Sequence, residues 1–454
     1  MRFCITSVFL FLLLYSCKTV QQTNQQVLPP KTNDLIIPYH PLNNQNDLDT
    51  LINAIGDAPI VLLGEGSHGT SEYYTWRAQI SKRLINEKHF NLIAVEGDWT
   101  DSYEVNKFIK EKKKDSNTVI NLLKRYNRWP TWLWCNYETA SLVEWLNTYN
   151  QSRSTNNKIG FYGLDLFNIY EAASNIIPYL KAPDTAALHA VTRFMDCFKP
   201  FADDEQQYRQ TQSRFKNDCS IASKNLWQSV TKLIPALIPG DEDKFAIQQN
   251  ALTVLDGEMY LHNGNAVDGW NFRDNHMAQT IERLLKLYGS NSKIIIWAHN
   301  NHVGASQFAT MHWTGKVNLG QILRYKYGEK KVFIVGMGSY KGSVIAADKW
   351  GTAYQQMKVP PADDSSWEQR LDQINTADKL IISKELQHDA KMLRWFSTTG
   401  IGVIYHGNKY GIYSLSVIPK RYDAYLFFDN TNALHPIEPS SVKGKTPPVI
   451  VPDD

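Results

Sequence analysis

The chain has 454 residues, enough for one large domain or two ordinary ones, so it can bury a sizeable core. Its 48 basic and 45 acidic residues leave a formal net charge of +3, which is too small to indicate a nucleic-acid partner, and we expect none. Aromatic residues are frequent, with 13 Trp, 23 Tyr and 18 Phe. Most belong in a core, but a surplus at a cleft would suit a bulky, partly apolar ligand.

The N-terminus carries the pattern of an export signal. Met1 and Arg2 precede an apolar run of signal-peptide length, too short to favour a membrane span. The run ends in Leu-Tyr-Ser-Cys, which resembles the bacterial lipobox, so we expect a lipoprotein signal over residues 1–16 and lipidation of Cys17. An ordinary secretory signal is the alternative. With the lipoprotein signal, residues 17–45 form a flexible tether. We expect the protein to be exported and anchored to a bacterial membrane, on its periplasmic or outer-membrane face.

The remaining cysteines are compatible with one disulfide. An exported chain permits a bond between Cys197 and Cys219, which would leave Cys135 as a thiol. Three thiols are the alternative. The spacing of the cysteines does not indicate a zinc site.

The first elements of the mature chain predict a βαβ unit. Residues 47–58 have the pattern of a short amphipathic helix, and residues 59–66 form a continuous apolar run closed by glycines, typical of a buried parallel strand. Residues 71–90 carry helical periodicity, and residues 91–99 form a second buried strand that ends in acids. This order predicts an α/β fold with a central, mostly parallel sheet flanked by helices.

The rest of the chain continues this alternation. Further strands are predicted at residues 158–166, 293–302, 331–340 and 399–407, and helices around 201–237 and at 271–289. Residues 180–265 lack strand patterns, which predicts a helical insertion or subdomain beside the active-site cleft. A catalytic domain over residues 46–436 is followed by an irregular, Pro-rich tail at 437–454.

Ionisable side chains follow three of the predicted strands. They are Glu65, His68, Glu72 and Arg77 after the first strand, Glu96 and Asp98 at the end of the second, and His299 and His302 in the strand at 293–302. In open parallel sheets, ligands bind beyond the carboxyl ends of the strands. One βαβ unit places His68 and Glu96 at the same edge, and His299 joins them if its strand is parallel. These side chains should therefore converge on one cleft.

This set of side chains favours hydrolysis by activated water. A neutral histidine can take a proton from water near neutral pH, and a carboxylate beside it fixes its tautomer and stabilises the imidazolium. An arginine or a second histidine can stabilise the oxyanion. No covalent intermediate is needed.

The residues alone leave other interpretations open. Ser67 is a candidate nucleophile, although it lacks the G-x-S-x-G pattern. The Glu and His side chains are types that zinc or manganese could use, but their spacing matches no recognised ligand motif, and we expect neither a metal nor another cofactor. Glu72 could be a solvated surface residue, and Asp98 could cap the following helix. A ligand-binding lipoprotein without catalysis is the third alternative.

The residues also resemble a known family. The stretches "LLGEGSHGTSEYYTWRAQI", "LIAVEGDW", "IGFYGLDLFN", "NFRDNHMAQTI", "IIIWAHNNHVG" and "YDAYLFFDNTNALHP" are similar, in this order, to blocks of the erythromycin esterase family. The resemblance extends from about residue 46 to residue 436. It implies an α/β fold and hydrolysis of the lactone ester of a macrolide antibiotic, which confers resistance.

The resemblance also implies roles for individual residues. The catalytic set is His68, which activates water, with Glu65, Glu96, Arg77 and His299. Glu72, His302 and Arg273 are expected to contact the substrate. Arg273 could instead pair with Asp274 on the helix surface, but we favour the cleft. A cell-envelope ester or another lactone is the alternative substrate, and metal dependence is the alternative mechanism.

Overall fold

The architecture comes from a computed structural model of the chain, which describes residues 36–112, 116–181, 185–202, 204–215, 219–262 and 266–437. The predicted signal, Cys17, the first part of the tether and nearly all of the predicted tail lie outside these residues. Within them, no helix combines the length and the apolar character needed to cross a bilayer.

The described strands form one large mixed sheet and one small sheet. They are β1 (His40–Pro41), β2 (Ile60–Leu63), β3 (Leu92–Asp98), β4 (Gly160–Asp165), β5 (Ile294–Trp297), β6 (Val332–Ala347), β7 (Tyr354–Val359), β8 (Lys379–Ile382), β9 (Phe396–Thr399), β10 (Tyr413–Ser416) and β11 (Ala424–Thr431). The large sheet has the order β1-β8-β11-β6-β2-β5-β3-β4, with β7 paired to β6. Every pair from β11 to β4 is parallel, whereas β1, β7 and β8 pair antiparallel.

Helices cover both faces of this sheet. They are α1 (Asp49–Ile55), α2 (Ser71–Lys88), α3 (Trp99–Lys110), α4 (Ser116–Leu123), α5 (Tyr137–Gln151), α6 (Ile169–Ser174), α7 (Thr185–Phe198), α8 (Glu205–Phe215), α9 (Ser220–Leu233), α10 (Glu242–His262), α11 (Ala266–Tyr288), α12 (Asn300–Val303), α13 (Leu319–Tyr327), α14 (Trp367–Asp372), α15 (Ser383–Leu386) and α16 (Ile418–Arg421). The predicted α/β class, with a mostly parallel sheet flanked by helices, is confirmed.

Burial on both faces explains why the central strands are continuous apolar runs. In β2, Val61 and Leu63 join a core cluster on the α2 side, while Ile60 and Leu62 join a second cluster on the α11 side. All four residues of β2 are buried because neither face meets water. The same alternation holds in β3, so the register of the sheet is fixed by apolar packing on both sides.

Parallel pairing brings four strand ends to one edge. The strands β2, β5, β3 and β4 are neighbours in the parallel part of the sheet. Their carboxyl ends therefore lie at the same edge, where the chain continues after Leu63, Trp297, Asp98 and Asp165. The strand predicted at 293–302 is parallel, as the convergence of side chains required. It ends at Trp297, and His302 lies in α12 rather than in the strand.

The strand predicted at 399–407 is wrong. The strand there is Phe396–Thr399, which pairs antiparallel with Tyr413–Ser416 in the small sheet. Residues 400–407 instead pack against the loop after β2 and the end of β6, through bonds such as Ile401 N to Gly66 O (2.8 Å) and Tyr405 N to Ala347 O (2.9 Å). Their alternating apolar side chains are buried by these contacts without a continuous ladder.

Residues 185–262 form a helical portion beside the sheet. Their described residues form α7, α8, α9 and α10, which share a core cluster with α6. The single helix expected around 201–237 is two helices, Glu205–Phe215 and Ser220–Leu233. A disulfide joins Cys197 at the end of α7 to Cys219 before α9, and Cys135 is buried elsewhere.

The folded domain begins earlier than expected. His40 and Pro41 pair with Leu380 and Lys379 of β8, and Ile37 and Leu42 are buried. This end of the predicted tether over residues 17–45 is therefore part of the sheet and its core.

Removing the disulfide should destabilise the helical portion. The bond closes a loop with a sequence separation of 22, for which the lost chain entropy of the unfolded state corresponds to about 3 kcal/mol. We expect a double variant, Cys197→Ser with Cys219→Ser, to unfold at lower urea concentration than the oxidised protein. Dithiothreitol should shift the wild-type midpoint to that of the variant and leave the variant unchanged. Equal midpoints before reduction would contradict this role.

Candidate active site

The loop after β2 packs so closely that two of its positions must be glycine. A Cβ atom on Gly64 would lie 2.2 Å from Asn300 Oδ1, and a Cβ atom on Gly69 would lie 1.9 Å from the carbonyl oxygen of Ile345. Gly64 N donates to Val335 O (2.8 Å), and Ile345 N donates to Gly69 O (3.0 Å). The loop is thereby held against α12 and β6, and this contact fixes the backbone that carries Glu65 and His68.

Glu65 links His68 to a buried arginine. His68 Nδ1 lies 2.9 Å from Glu65 Oε1, and Arg77 Nη2 donates to Glu65 Oε2 at 2.5 Å. Arg77 is fully buried in α2, with its guanidinium 4.4 Å from the ring centroid of Tyr74 and 4.7 Å from that of Trp297. A carboxylate only accepts hydrogen bonds, so His68 Nδ1 carries the proton and the lone pair of the neutral ring is on Nε2.

His299 has the opposite tautomer. It follows β5 and occupies the N-cap of α12, where its Nδ1 accepts a hydrogen bond from Asn301 N (3.2 Å). The proton of the neutral ring is therefore on Nε2, which is buried and has no hydrogen-bond partner among the described residues. The ring centroids of His299 and His68 are 4.9 Å apart. Burial, and then the charge that His68 can carry, hold the pKa of His299 well below its usual range.

Glu96 and Arg273 form a charged frame at the ends of β3 and β4. Arg273 Nη2 donates to Glu96 Oε1 (2.8 Å), and Arg273 Nε donates to Asp165 Oδ1 (2.7 Å). Glu96 Oε2 accepts a hydrogen bond from the backbone N–H of His299 (2.8 Å). Burial alone would raise the pKa of Glu96, but the adjacent charges of His302 and Arg273 hold it well below its usual range. Glu96 is therefore a fixed anion that also positions the backbone of His299.

His302 is the cation of this frame. Its Nδ1 lies 3.0 Å from Asp274 Oδ1, and its Nε2 lies 3.2 Å from Glu96 Oε1. Burial would lower the pKa of His302, but these two carboxylates outweigh it and raise the pKa to about 10. The indole of Trp270 stacks on the ring at a centroid distance of 4.4 Å. The two carboxylates hold His302 as a cation against the repulsion of Arg273, whose Nη1 lies 3.2 Å from His302 Nε2.

A cleft opens in front of His68. His68 is 2% exposed, yet it lines this cleft. Its walls comprise Glu96, Gly97, Asp98, Asp101, Tyr126, Arg128, Pro130, Thr131, Leu133, Trp134, Asp165, Phe167, Tyr260, Trp270, Arg273, Trp350 and Val403. A second cavity, lined by Asn300, Gly400 and Arg421 among others, shares Trp270 with the cleft. Tyr260 belongs to α10, so the helical portion contributes a wall, as a subdomain beside the cleft would.

Most of the residues expected at the site lie together there, but Glu72 does not. His68, Glu96 and Arg273 line the cleft, and Glu65, Arg77, His299 and His302 lie behind these residues. Glu72 Oε2 and Oε1 instead accept hydrogen bonds from the backbone and side-chain nitrogens of Asn432 (both 2.8 Å). This contact joins α2 to the segment after β11. Glu72 does not line the cleft, so the structure does not support a contact between Glu72 and a substrate there.

Two local interpretations of the sequence need correction. Asp98 occupies the N-cap of α3, but its carboxylate makes no capping bond and instead pairs with Arg128 at 2.5 and 2.6 Å. The hydroxyl of Ser67 bonds to that of Thr70 and does not line the cleft. Ser67 is therefore not placed to attack a substrate bound there.

Sequence reasoning missed several cleft residues. Asp165 ends β4, and the rule that identified Glu96 at the end of β3 would have found it. Arg128, Phe167 and Trp270 reach the cleft from loops and helices that are far apart in sequence, and no local pattern signals them. In the parts of the chain that the structure describes, no three His, Cys, Asp or Glu side chains form a group that could hold a metal ion.

Comparisons with known proteins agree with this architecture. The sequence model of the family described as erythromycin esterase matches residues 85–431. The chain is 23% identical over 396 residues to erythromycin esterase type II of Escherichia coli, covering 80% of this chain and 91% of that protein. It is 21% identical over 371 residues to erythromycin esterase type I of Escherichia coli, covering 77% and 88%.

A solved structure supports the fold. A mutant of the erythromycin esterase EreC in its open conformation superposes with a TM-score of 0.61 at 16% identity, covering 87% of this chain and 98% of that one. The family match spans well over half of the chain and includes β3 to β11 with the frame around Glu96 and His302. This chain belongs to the erythromycin esterase family.

Proposed function

We propose that the protein is an ester hydrolase that opens the lactone of a macrolide antibiotic with water activated by His68. The observation that carries the proposal is the chain of contacts from Arg77 through Glu65 to His68, which leaves Nε2 of His68 as the basic nitrogen of a residue that lines the cleft. The family, and the names of the relatives within it, support an ester as the substrate. The cleft has aromatic walls suited to a bulky, partly apolar ring.

In the first step, His68 acts as a general base. Its Nε2 takes a proton from water while the water oxygen attacks the carbonyl carbon of the ester. The resulting imidazolium is stabilised by Glu65, whose charge is held in place by Arg77. No bond forms between protein and substrate, so no acyl-enzyme is involved.

In the second step, the tetrahedral intermediate collapses. We assign the Nε2–H of His299 as the donor to the oxygen on which negative charge develops, since this N–H has no partner among the described residues and its ring lies beside that of His68, which lines the cleft. His68 returns the proton to the alkoxide as the carbon–oxygen bond breaks, which leaves one ring-opened molecule that carries a carboxylic acid and a hydroxyl group. The low pKa of His299 keeps it a neutral donor, whereas the raised pKa of His302 keeps it a structural cation.

We also propose that the protein acts outside the cytoplasm as a membrane-anchored lipoprotein and confers resistance by destroying the drug before it enters the cell. The apolar run before Cys17 supports export, and the Cys197–Cys219 disulfide is typical of proteins that fold in an oxidising compartment.

Replacing His68 should abolish hydrolysis. We expect His68→Ala to lower kcat on macrolides by about 10²–10⁴-fold, because the variant lacks the base that activates water. Purified proteins are incubated with macrolides of different ring size, and mass spectrometry follows the gain of one water. His388→Ala, which changes an exposed histidine, is the control. Near-wild-type turnover by His68→Ala would refute the assignment.

Arg77 should act through Glu65 without touching the substrate. In Arg77→Met, Glu65 loses its cation and draws the proton of His68 more strongly, so we expect the acidic limb of the pH–rate profile to move to higher pH. We expect kcat to fall by about tenfold or more while KM changes little. Arg77→Lys should recover part of the loss. If both variants keep the wild-type profile and kcat, Arg77 has no positioning role.

The lipid anchor can be tested in cells. We expect the full-length protein expressed in a Gram-negative host to incorporate labelled palmitate and to fractionate with membranes. Cys17→Ala should lose the label and the anchor, whereas Cys4→Ala, within the signal, should keep both. Failure of the wild-type chain to take up label would contradict lipidation and favour an ordinary secretory signal.

A further inference from the structure

The charges that line the cleft do not balance. Its walls carry the four carboxyl groups of Glu96, Asp98, Asp101 and Asp165 but only the two guanidinium groups of Arg128 and Arg273. His302, behind Glu96, supplies one further positive charge. An apolar cleft with an excess of carboxyl groups favours a ligand that brings positive charge with it.

The imbalance is located at Asp101. Asp98 pairs with Arg128, and Glu96 and Asp165 share Arg273. Among the described residues, by contrast, no lysine or arginine forms an ion pair with Asp101, whose carboxylate receives a hydrogen bond only at the limiting distance of 3.5 Å, from Asn168 Nδ2. Asp101 is 3% exposed and lies in the first turn of α3. It is a buried acid that faces a cavity without a cation of its own.

The surroundings of Asp101 disfavour its charge. Burial raises the pKa of Asp101 well above its usual range, and the carboxylates of Asp98 and Glu171 raise it further, which outweighs the opposite effect of Arg128 and Arg125. A cation placed against Asp101 would offset both effects, because opposite charges attract strongly in a site from which water is excluded.

Aromatic rings line the same cleft as this acid. The rings that line the same cleft belong to Tyr126, Trp134, Phe167, Tyr260, Trp270 and Trp350. Aromatic faces bind alkylated ammonium groups well, since the ring quadrupole attracts the charge and the alkyl groups bury apolar area. Arg128 already lies over Phe167, with its Cζ atom 4.3 Å from the ring centroid, which shows that these rings can hold a cation.

We propose that Asp101 forms a cation subsite of the cleft, which binds an alkylated ammonium group carried by a bulky ester substrate. The inference rests on the proposed function and narrows it. Asp101 would select lactones that carry a protonated alkylamino group over uncharged lactones.

Two probes of equal shape and different charge test the subsite. Acetylcholine and 3,3-dimethylbutyl acetate differ in one atom, nitrogen against carbon, and thus in one positive charge. Each is titrated into the His68→Ala protein, which cannot turn the ester over, and binding is followed by calorimetry. We expect acetylcholine to bind at least about tenfold more tightly than the neutral ester. Introducing Asp101→Asn should reduce this ratio to near one.

Glu104→Gln is the matched control. It removes an acid from the same helix, at a position paired with Lys107 and Arg125 and outside the cleft lining, so the ratio should persist. Equal binding of the two probes to the protein with Asp101 intact would refute the subsite, and this result does not depend on the folding of the Asp101→Asn variant. A ratio that survives Asp101→Asn would also refute it.

The test of the cation subsite and the test of the proposed function can fail independently. If the probes are discriminated through Asp101 while the wild-type protein leaves every macrolide intact, the macrolide substrate is refuted and the cation subsite stands. If macrolides gain one water but the probes bind equally, the hydrolase stands and the subsite is refuted.

Discussion

The site depends on the buried ion pair between Glu65 and Arg77. Both side chains are removed from water, which is costly for two charges unless each is well paired. Arg77 contributes a fixed positive charge from α2, and its guanidinium is held between Tyr74 and Trp297 in the core. Glu65 therefore has one defined orientation, with one oxygen on Arg77 and the other on His68. The tautomer of His68 follows from this single contact.

Three histidines lie within a few residues of strand ends, and their surroundings give them three different states. A carboxylate on Nδ1 makes His68 a base through Nε2, whereas a backbone N–H on the same atom makes His299 a donor through Nε2. Two carboxylates keep His302 protonated. The sequence supplies the same side chain three times, and the neighbours decide its chemistry.

Local patterns revealed the part of the site that is local in the chain. Continuous apolar runs predicted β2, β3 and β5, and the rule that ligands bind at the carboxyl ends of parallel strands placed His68, Glu96 and His299 together. The same patterns failed at residues 399–407, where apolar alternation reflects packing against a loop, and they did not indicate β8 or β11. Contacts between distant segments, such as Asp98 with Arg128 or Asp274 with His302, leave no spacing to find. Closeness in sequence can also mislead: Glu72 lies only four residues after His68, but its carboxylate binds Asn432 and not the cleft.

The tautomer of His68 at neutral pH is the most direct test of this account. Nitrogen-15 NMR of the histidine-labelled protein distinguishes protonated from unprotonated ring nitrogens, and the resonances can be assigned with His68→Gln and His299→Gln. We expect His68 to be protonated at Nδ1 with a lone pair at Nε2, and His299 to be protonated at Nε2. A His68 resonance that shows the proton on Nε2 in the neutral ring would remove the base from the cleft and contradict the mechanism.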